Sequence, residues 1–249
     1  MKSAINVILL ITLLLSSLPT AAEQSFHSKL AQHVSGFDSV NSSTVGQLIE
    51  FAKQFRIPMG IEWVERAGES SAKPVHARNI TAQAVLEQIV KQRQGMGFSG
   101  SDGVVHVFDQ SVISDSKNFL NLEIPHFKAE NETLFGAEFW LKIDIERVLT
   151  PASGGFAGGH GYGIPRTDTF DKQNINLSVN DATVRQLLDR IVSQQGNALW
   201  LVRILPSEMM SNGRFYAQSA SADNKTAAAD FRWEFIPLKT DVSAHISSQ

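Results

Sequence analysis

The sequence predicts an α+β protein built from two small related α/β units, each a short mixed sheet with two helices packed on one face. Three observations predict this. Segments with apolar residues every three or four positions alternate with short strand-like segments from Thr44 onward. The order helix–strand–strand–helix–strand–strand is completed between residues 44 and 110. A similar stretch then returns 102 positions later.

The first helix opens at Thr44, a capping residue, and places Val45, Leu48, Ile49, Ala52 and Phe55 on one face. Pro58 ends it on the far side, because proline cannot donate to a helical hydrogen bond. Met59–Val64 (MGIEWV) reads as a strand, residues 65–73 as a polar loop and Val75–Asn79 as a second strand. Thr81 opens a second helix with Ala82, Val85, Leu86, Ile89 and Val90 on one face, and Gly95 and Gly97 stop it. Met96–Ser99 and Val104–Phe108 form a hairpin across the turn sequence Gly100-Ser101-Asp102-Gly103.

The second unit occupies residues 111–205. Thr81–Gln92 (TAQAVLEQIVKQ) aligns with Thr183–Gln194 (TVRQLLDRIVSQ), with five of twelve positions identical. Phe119–Ile124 reads as a strand. Within residues 132–149, Leu134, Ala137, Leu141, Ile145 and Val148 fit a helical face. Leu141, Ile143 and Ile145, alternating with charged residues, fit a strand equally well, and analogy with the first unit selects the helix. A glycine-rich insertion spans 151–174. Ile175–Val179 is a predicted strand, Asp181–Gln195 a helix and Leu199–Leu205 a strand. Residues 206–249 read as a loosely ordered tail with a short strand near 231–238.

Residues 1–22 read as a secretory signal peptide. Lys2 is followed by an apolar core from Ile5 to Leu18, then Pro19 and the small residues Thr20-Ala21-Ala22. That core is shorter than the ~20 residues a bilayer span needs. The expectation is a periplasmic or secreted protein after cleavage near Ala22, with residues 23–43 as a weakly patterned lead-in. No apolar run of spanning length follows, so no integral membrane span is expected after cleavage. The chain has no cysteine, which excludes disulfides, thiolate chemistry and an N-terminal lipid on cysteine. Its formal net charge is −3, so a nucleic-acid partner is not expected.

TVGQLIEFAKQFRIPMGIEWV followed by PVHARNITAQAVLEQIVKQRQGMGFSGSDGVVHVFD resembles the short N-terminal (STN) domain of secretins and TonB-dependent outer-membrane receptors. The resemblance covers residues 37–109, and INLSVNDATVRQLLDRIVSQQGNALWLVRI, 175–204, is a weaker second copy. It rests on hydrophobic pattern and carries no polar signature. It implies a periplasmic module that contacts partner proteins. Nothing after residue 109 reads as a barrel or a secretin pore, so the implied partner is another envelope protein.

Residues that could carry chemistry do not converge on a catalytic set. The loop Ser153–Gly163 (SGGFAGGHGYG) has six glycines, yet Ile164-Pro165-Arg166 follows where a phosphate loop needs a helix. Its Phe156, His160 and Tyr162 are the candidate partner-contact residues. His27, His33, His76, His106, His126, His160 and His245 show no zinc-type spacing on a helix, although His76 and His106 fall in strands of one unit. Asp144 with Glu146, or Asp168 with Asp171, would be carboxylate pairs, but such spacing suits a solvated face. Gly97-Phe98-Ser99-Gly100-Ser101 lacks the spacing of a nucleophile elbow. Trp63, Trp140, Trp200 and Trp233 are expected in the core. No catalytic residue, cofactor or metal is predicted. The sequence points to a non-enzymatic interaction or assembly module that docks by adding a strand to a sheet edge, with Met59–Val64 and Val104–Phe108 as candidate edges. The alternative is an exported hydrolase or small-ligand-binding protein using loop 153–163.

Overall fold

The computed structural model describes residues 28–66, 71–115, 118–149, 174–204 and 233–238. The leader, the glycine-rich loop and most of the tail lie outside these residues. The α+β class holds. The strands are β1 (His33–Val34), β2 (Phe37–Ser39), β3 (Met59–Val64), β4 (Val75–Ala77), β5 (Ile80–Thr81), β6 (Met96–Ser101), β7 (Val104–Asp109), β8 (Glu123–Glu132), β9 (Ile175–Thr183), β10 (Ala198–Ile204) and β11 (Trp233–Pro237). The helices are α1 (Thr44–Phe55), α2 (Ala82–Val90), α3 (Leu134–Leu149) and α4 (Val184–Gln195).

Local chemistry explains the boundaries. Ser43 caps α1, its hydroxyl accepting from the Gly46 amide, and Arg56 closes it in the left-handed region. Thr81 and Thr183 cap α2 and α4 in the same way, and at α4 the Gln186 side chain completes a capping box. Asn79 and Asp181, two residues before each cap and 102 positions apart, both have positive φ, 51° and 49°. Asparagine and aspartate tolerate that conformation best among residues with a Cβ. The Asn79 bend ends β4 at Ala77, earlier than expected. Asp181 lies within the longer strand β9, so α4 starts at Val184 rather than Asp181.

Three further expectations change. Phe119–Asn121 is a 3-10 turn rather than a strand, because the Asn118 side chain caps it by accepting from the Leu120 amide, 3.1 Å. The lead-in, expected to lack pattern, supplies β1 and β2, which pair with β5 and β4. Residues 134–149 are helical, with Leu134, Ala137, Leu141 and Ile145 buried along one stripe.

The strands of the two predicted units also share one sheet. Its order is β11-β10-β3-β7-β6. β3 lies parallel between β10 and β7, and β6 and β11 are the antiparallel edges. β3 and β7 are therefore interior, not the edges the sequence suggested. β3 is buried at all six positions, as a central strand covered on both faces must be.

Strand alternation divides the core in two. Met59, Ile61, Trp63, Val105, Val107, Leu199 and Leu201 pack with Leu48, Phe51 and Ala52 of α1 and Val85, Leu86 and Ile89 of α2. On the other face Val64, Val104, Trp200, Val202 and Ile204 pack with α3 and α4 through Leu141, Ile145, Leu187, Leu188 and Ile191. Each helix pair thus covers one face of the shared sheet. The long β8–β9 ribbon packs beside the second core through Ile124, Phe127, Ala129, Ile175, Val179 and Ala182.

Candidate functional site

Two features stand out among the described residues: a buried cluster of charges at the centre of the second core, and a sheet edge free of charge and proline.

The cluster is assembled by the inner strands. Glu62 of β3 is fully buried and points into the α3/α4 face, as Gly60 and Val64 do on either side of it. Arg185 of α4 grips it from above, its Nε on Oε1 and its Nη2 3.1 Å from Oε2. That forked pairing is the strongest geometry a carboxylate can be offered. His106 of β7 places Nε2 2.7 Å from Glu62 Oε1, in ion-pair contact though not in line for a good hydrogen bond. Asn118 donates to Glu62 Oε2 at 3.3 Å, and Asn121 accepts from Arg185 Nη1. One helical turn beyond Arg185, the buried Asp189 accepts from Trp200 Nε1 at 2.8 Å. The Trp200 indole lies flat over Gly60, where an added Cβ would sit 2.3 Å from the ring.

Burial alone would push the Glu62 carboxyl up, but its contacts with His106 and Arg185 hold it below the usual carboxylate value. Burial wins at Asp189, whose pKa is pushed up to about 6 against the pull of nearby His106 and the Trp200 hydrogen bond. Arg185 is only 13% exposed at its side chain and His106 7%. Among the described residues the cluster is therefore largely enclosed. It joins β3, β7, α4 and the 118–121 turn.

The other sequence candidates are dispersed. His76 meets Asp38 at 2.9 Å on the exposed β2–β4 ribbon, so His76 and His106 each have their own carboxylate and do not meet. Asp144 bonds Arg147 at 2.7 Å along α3, and burial raises its pKa. Trp63, Trp200 and Trp233 are core residues, but Trp140 is 39% exposed on α3, tethered by Glu132 at 2.9 Å. Phe156, His160, Tyr162, Asp168 and Asp171 lie outside the described residues. Among those described, no group of three or more His, Asp and Glu could hold a metal ion. No described helix is long and apolar enough to cross a membrane.

The edge is β6. Its residues Met96-Gly97-Phe98-Ser99-Gly100-Ser101 include no charge and no proline, and Ser99, Gly100 and Ser101 are exposed. Natural edge strands are usually blunted by lysine, proline or a bulge. The opposite edge, β11, carries such guards in Glu234 and Pro237. The hairpin alone does not say which of its two strands lies outside, so β6 is not legible as an edge from sequence. Glu62 and Arg185 are 123 positions apart, so no local pattern joins them.

Comparison with known protein families, with curated proteins and with solved structures returned no match.

Proposed function

We propose that the chain is a non-enzymatic, exported protein-interaction module that works in the periplasm and docks an extended segment of another envelope protein onto β6. The observation that carries this reading is the unguarded β6 edge beside a guarded β11 edge in the same sheet. An added strand gains main-chain hydrogen bonds without moving any core residue. The half-buried Phe98, packed against the α1/α2 core, offers a contact for an apolar side chain on the incoming strand. The charge cluster, largely enclosed among the described residues, fits the same reading. The resemblance to the STN domain of secretins and TonB-dependent receptors implies a role of this kind. The matched caps at Thr81 and Thr183, with matched bends at Asn79 and Asp181, support two halves related by duplication.

Crosslinking in the native envelope tests the proposal. The wild-type chain is expected to capture a partner, and Ser99→Lys to lose it with an unchanged thermal melt. Ser99 is exposed, so a lysine there charges the edge without entering the core. Capture undiminished by Ser99→Lys would remove β6 from the account. No capture under conditions that trap a control complex would count against docking altogether.

A further inference from the structure

We infer that β6 also pairs with β6 of a second copy of this chain, antiparallel and centred on Ser99, joining the two five-stranded sheets edge to edge. The inference rests on the reading of β6 as a docking edge and names one occupant of it.

The argument is one of self-complementarity. A two-fold axis normal to the sheet brings identical strands together antiparallel, and directly opposite residues then share a face. Opposed positions must therefore sum to an even number. Centred on Ser99, the register sets Ser99 against Ser99, Phe98 against Gly100 and Gly97 against Ser101. Large meets small twice. Phe98 lies on the α1/α2 face opposite Val107 of its own sheet, and Gly100 lies on that same face opposite Val105. Each Phe98 ring can therefore lie across the partner's Gly100, the arrangement by which an aromatic residue compensates an edge glycine.

The neighbouring register, centred on Phe98, is poorer. It opposes the two Phe98 rings and sets Met96 against Gly100. Met96 is only 9% exposed in its own core, so it is not free to cover a partner's glycine. Charge argues in the same direction. A charge at or next to the centre of the strand would lie close to its own copy, and like charges opposed across a strand pair destabilise it. Residues 96–101 carry none, and the nearest charge, Asp102, is turned into the hairpin loop and paired with Arg190 at 3.5 Å.

The absence of cysteine makes the test clean, because a single substitution supplies the only thiol in the chain. Ser99→Cys places two thiols opposite each other across the strand pair, within the ~4.5–5.5 Å that suits a disulfide. Ser101→Cys sets the thiols four residues apart along the strand, about 13 Å, beyond disulfide reach. Under mild oxidation of the purified full chain, Ser99→Cys is expected to give a covalent dimer, and Ser101→Cys at least about tenfold less. Adding Phe98→Leu to Ser99→Cys should lower the yield by removing the ring over Gly100. Equal yields from the two cysteine variants, or none from either, overturn the second copy as occupant. If no dimer forms but Ser99→Lys still abolishes capture of a foreign chain, the docking edge stands and self-pairing falls. If no dimer forms and Ser99→Lys leaves capture unchanged, both fall.

Discussion

The two faces of the sheet are held in different ways. Against α1 and α2 the sheet presents Met59, Ile61, Trp63, Val105, Val107, Leu199 and Leu201, an apolar field that needs only shape. Its buried charges lie towards one end of the sheet, where the fully buried Asp109 pairs with the 39% exposed Arg66 and Arg93 stacks on Trp63 at 3.7 Å. Gln47, also fully buried on that side, is a neutral amide bonded to the backbone carbonyls of Asn41 and Lys73 and to Gln92. Against α3 and α4 the field is broken at its centre by Glu62 and His106, and α4 must bring Arg185 to meet them. The first face leaves the packing over its centre apolar and keeps its buried charges towards one end of the sheet. The second fixes α4 in one place, since a shift of one turn would leave a buried carboxylate unpaired. Buried ion pairs add little net stability but are costly to break from one side.

Substitutions can break that contrast, beginning with the largest effect. Leu86→Asp puts a charge in the fully buried α2 stripe and should cost at least about 5 kcal/mol, the lost apolar contacts adding to an uncompensated charge. A melt unchanged by it would mean that the first face is not the apolar core described. Arg185→Ala should cost about 3–5 kcal/mol in a denaturant titration, because Glu62 keeps its burial and loses its main partner. A loss under 1 kcal/mol would mean that the cluster is hydrated and the faces differ little.

The pH dependence sharpens the same comparison. Burial raises Asp189 from its usual 3.8 to about 6. A raised folded pKa gives stability that is full below the unfolded pKa and is lost as pH rises through the folded one. The Asp189 contribution therefore declines between about pH 4 and 6. Glu62 is lowered, so its contribution is present above its ordinary value and is lost only in stronger acid. Asp189→Asn keeps an acceptor for Trp200 Nε1 and removes the charge. It should flatten stability between pH 4 and 6 and raise it at pH 7.5 by up to about 3 kcal/mol. Unchanged stability at pH 7.5 would show that Asp189 is not ionised there at any cost. The smallest expected effect is at the helix cap. Thr183→Ala removes the hydroxyl that accepts from Gln186 and should cost about 1 kcal/mol, with the equivalent Thr81→Ala similar. A large difference between the two would show that the passages into α2 and α4 are not energetically alike.

The helices were largely legible from sequence because each buries a stripe that repeats every three to four residues. Ala82, Val85, Leu86, Ile89 and Val90 read correctly from spacing alone. Phe51 does not, although it is fully buried, because the three-to-four spacing runs through Ile49 and Phe55 on its flank. The sheet was legible as strands but not as an order. β3 carries a single acid, Glu62, in an otherwise apolar run, and only Arg185, brought in by α4, reveals why an acid sits in a central strand. The parallel pairing of Leu199 with Met59 joins residues 140 positions apart, and no local pattern encodes it. Trp140 misled for the opposite reason. It is a large aromatic on a helix, yet the stripe of α3 passes through Leu141, and the indole is held outside by Glu132.

The two edges differ as clearly as the two faces, and the functional account depends on that difference. β11 carries a glutamate and a proline, whereas β6 carries neither. The most direct test places the same charge on each edge in turn and measures partner capture in the native envelope beside a thermal melt. The account predicts that Ser99→Lys in β6 abolishes capture and that Glu234→Lys in β11 leaves it intact, both with wild-type melts. Capture lost through β11 and retained through β6 would contradict it.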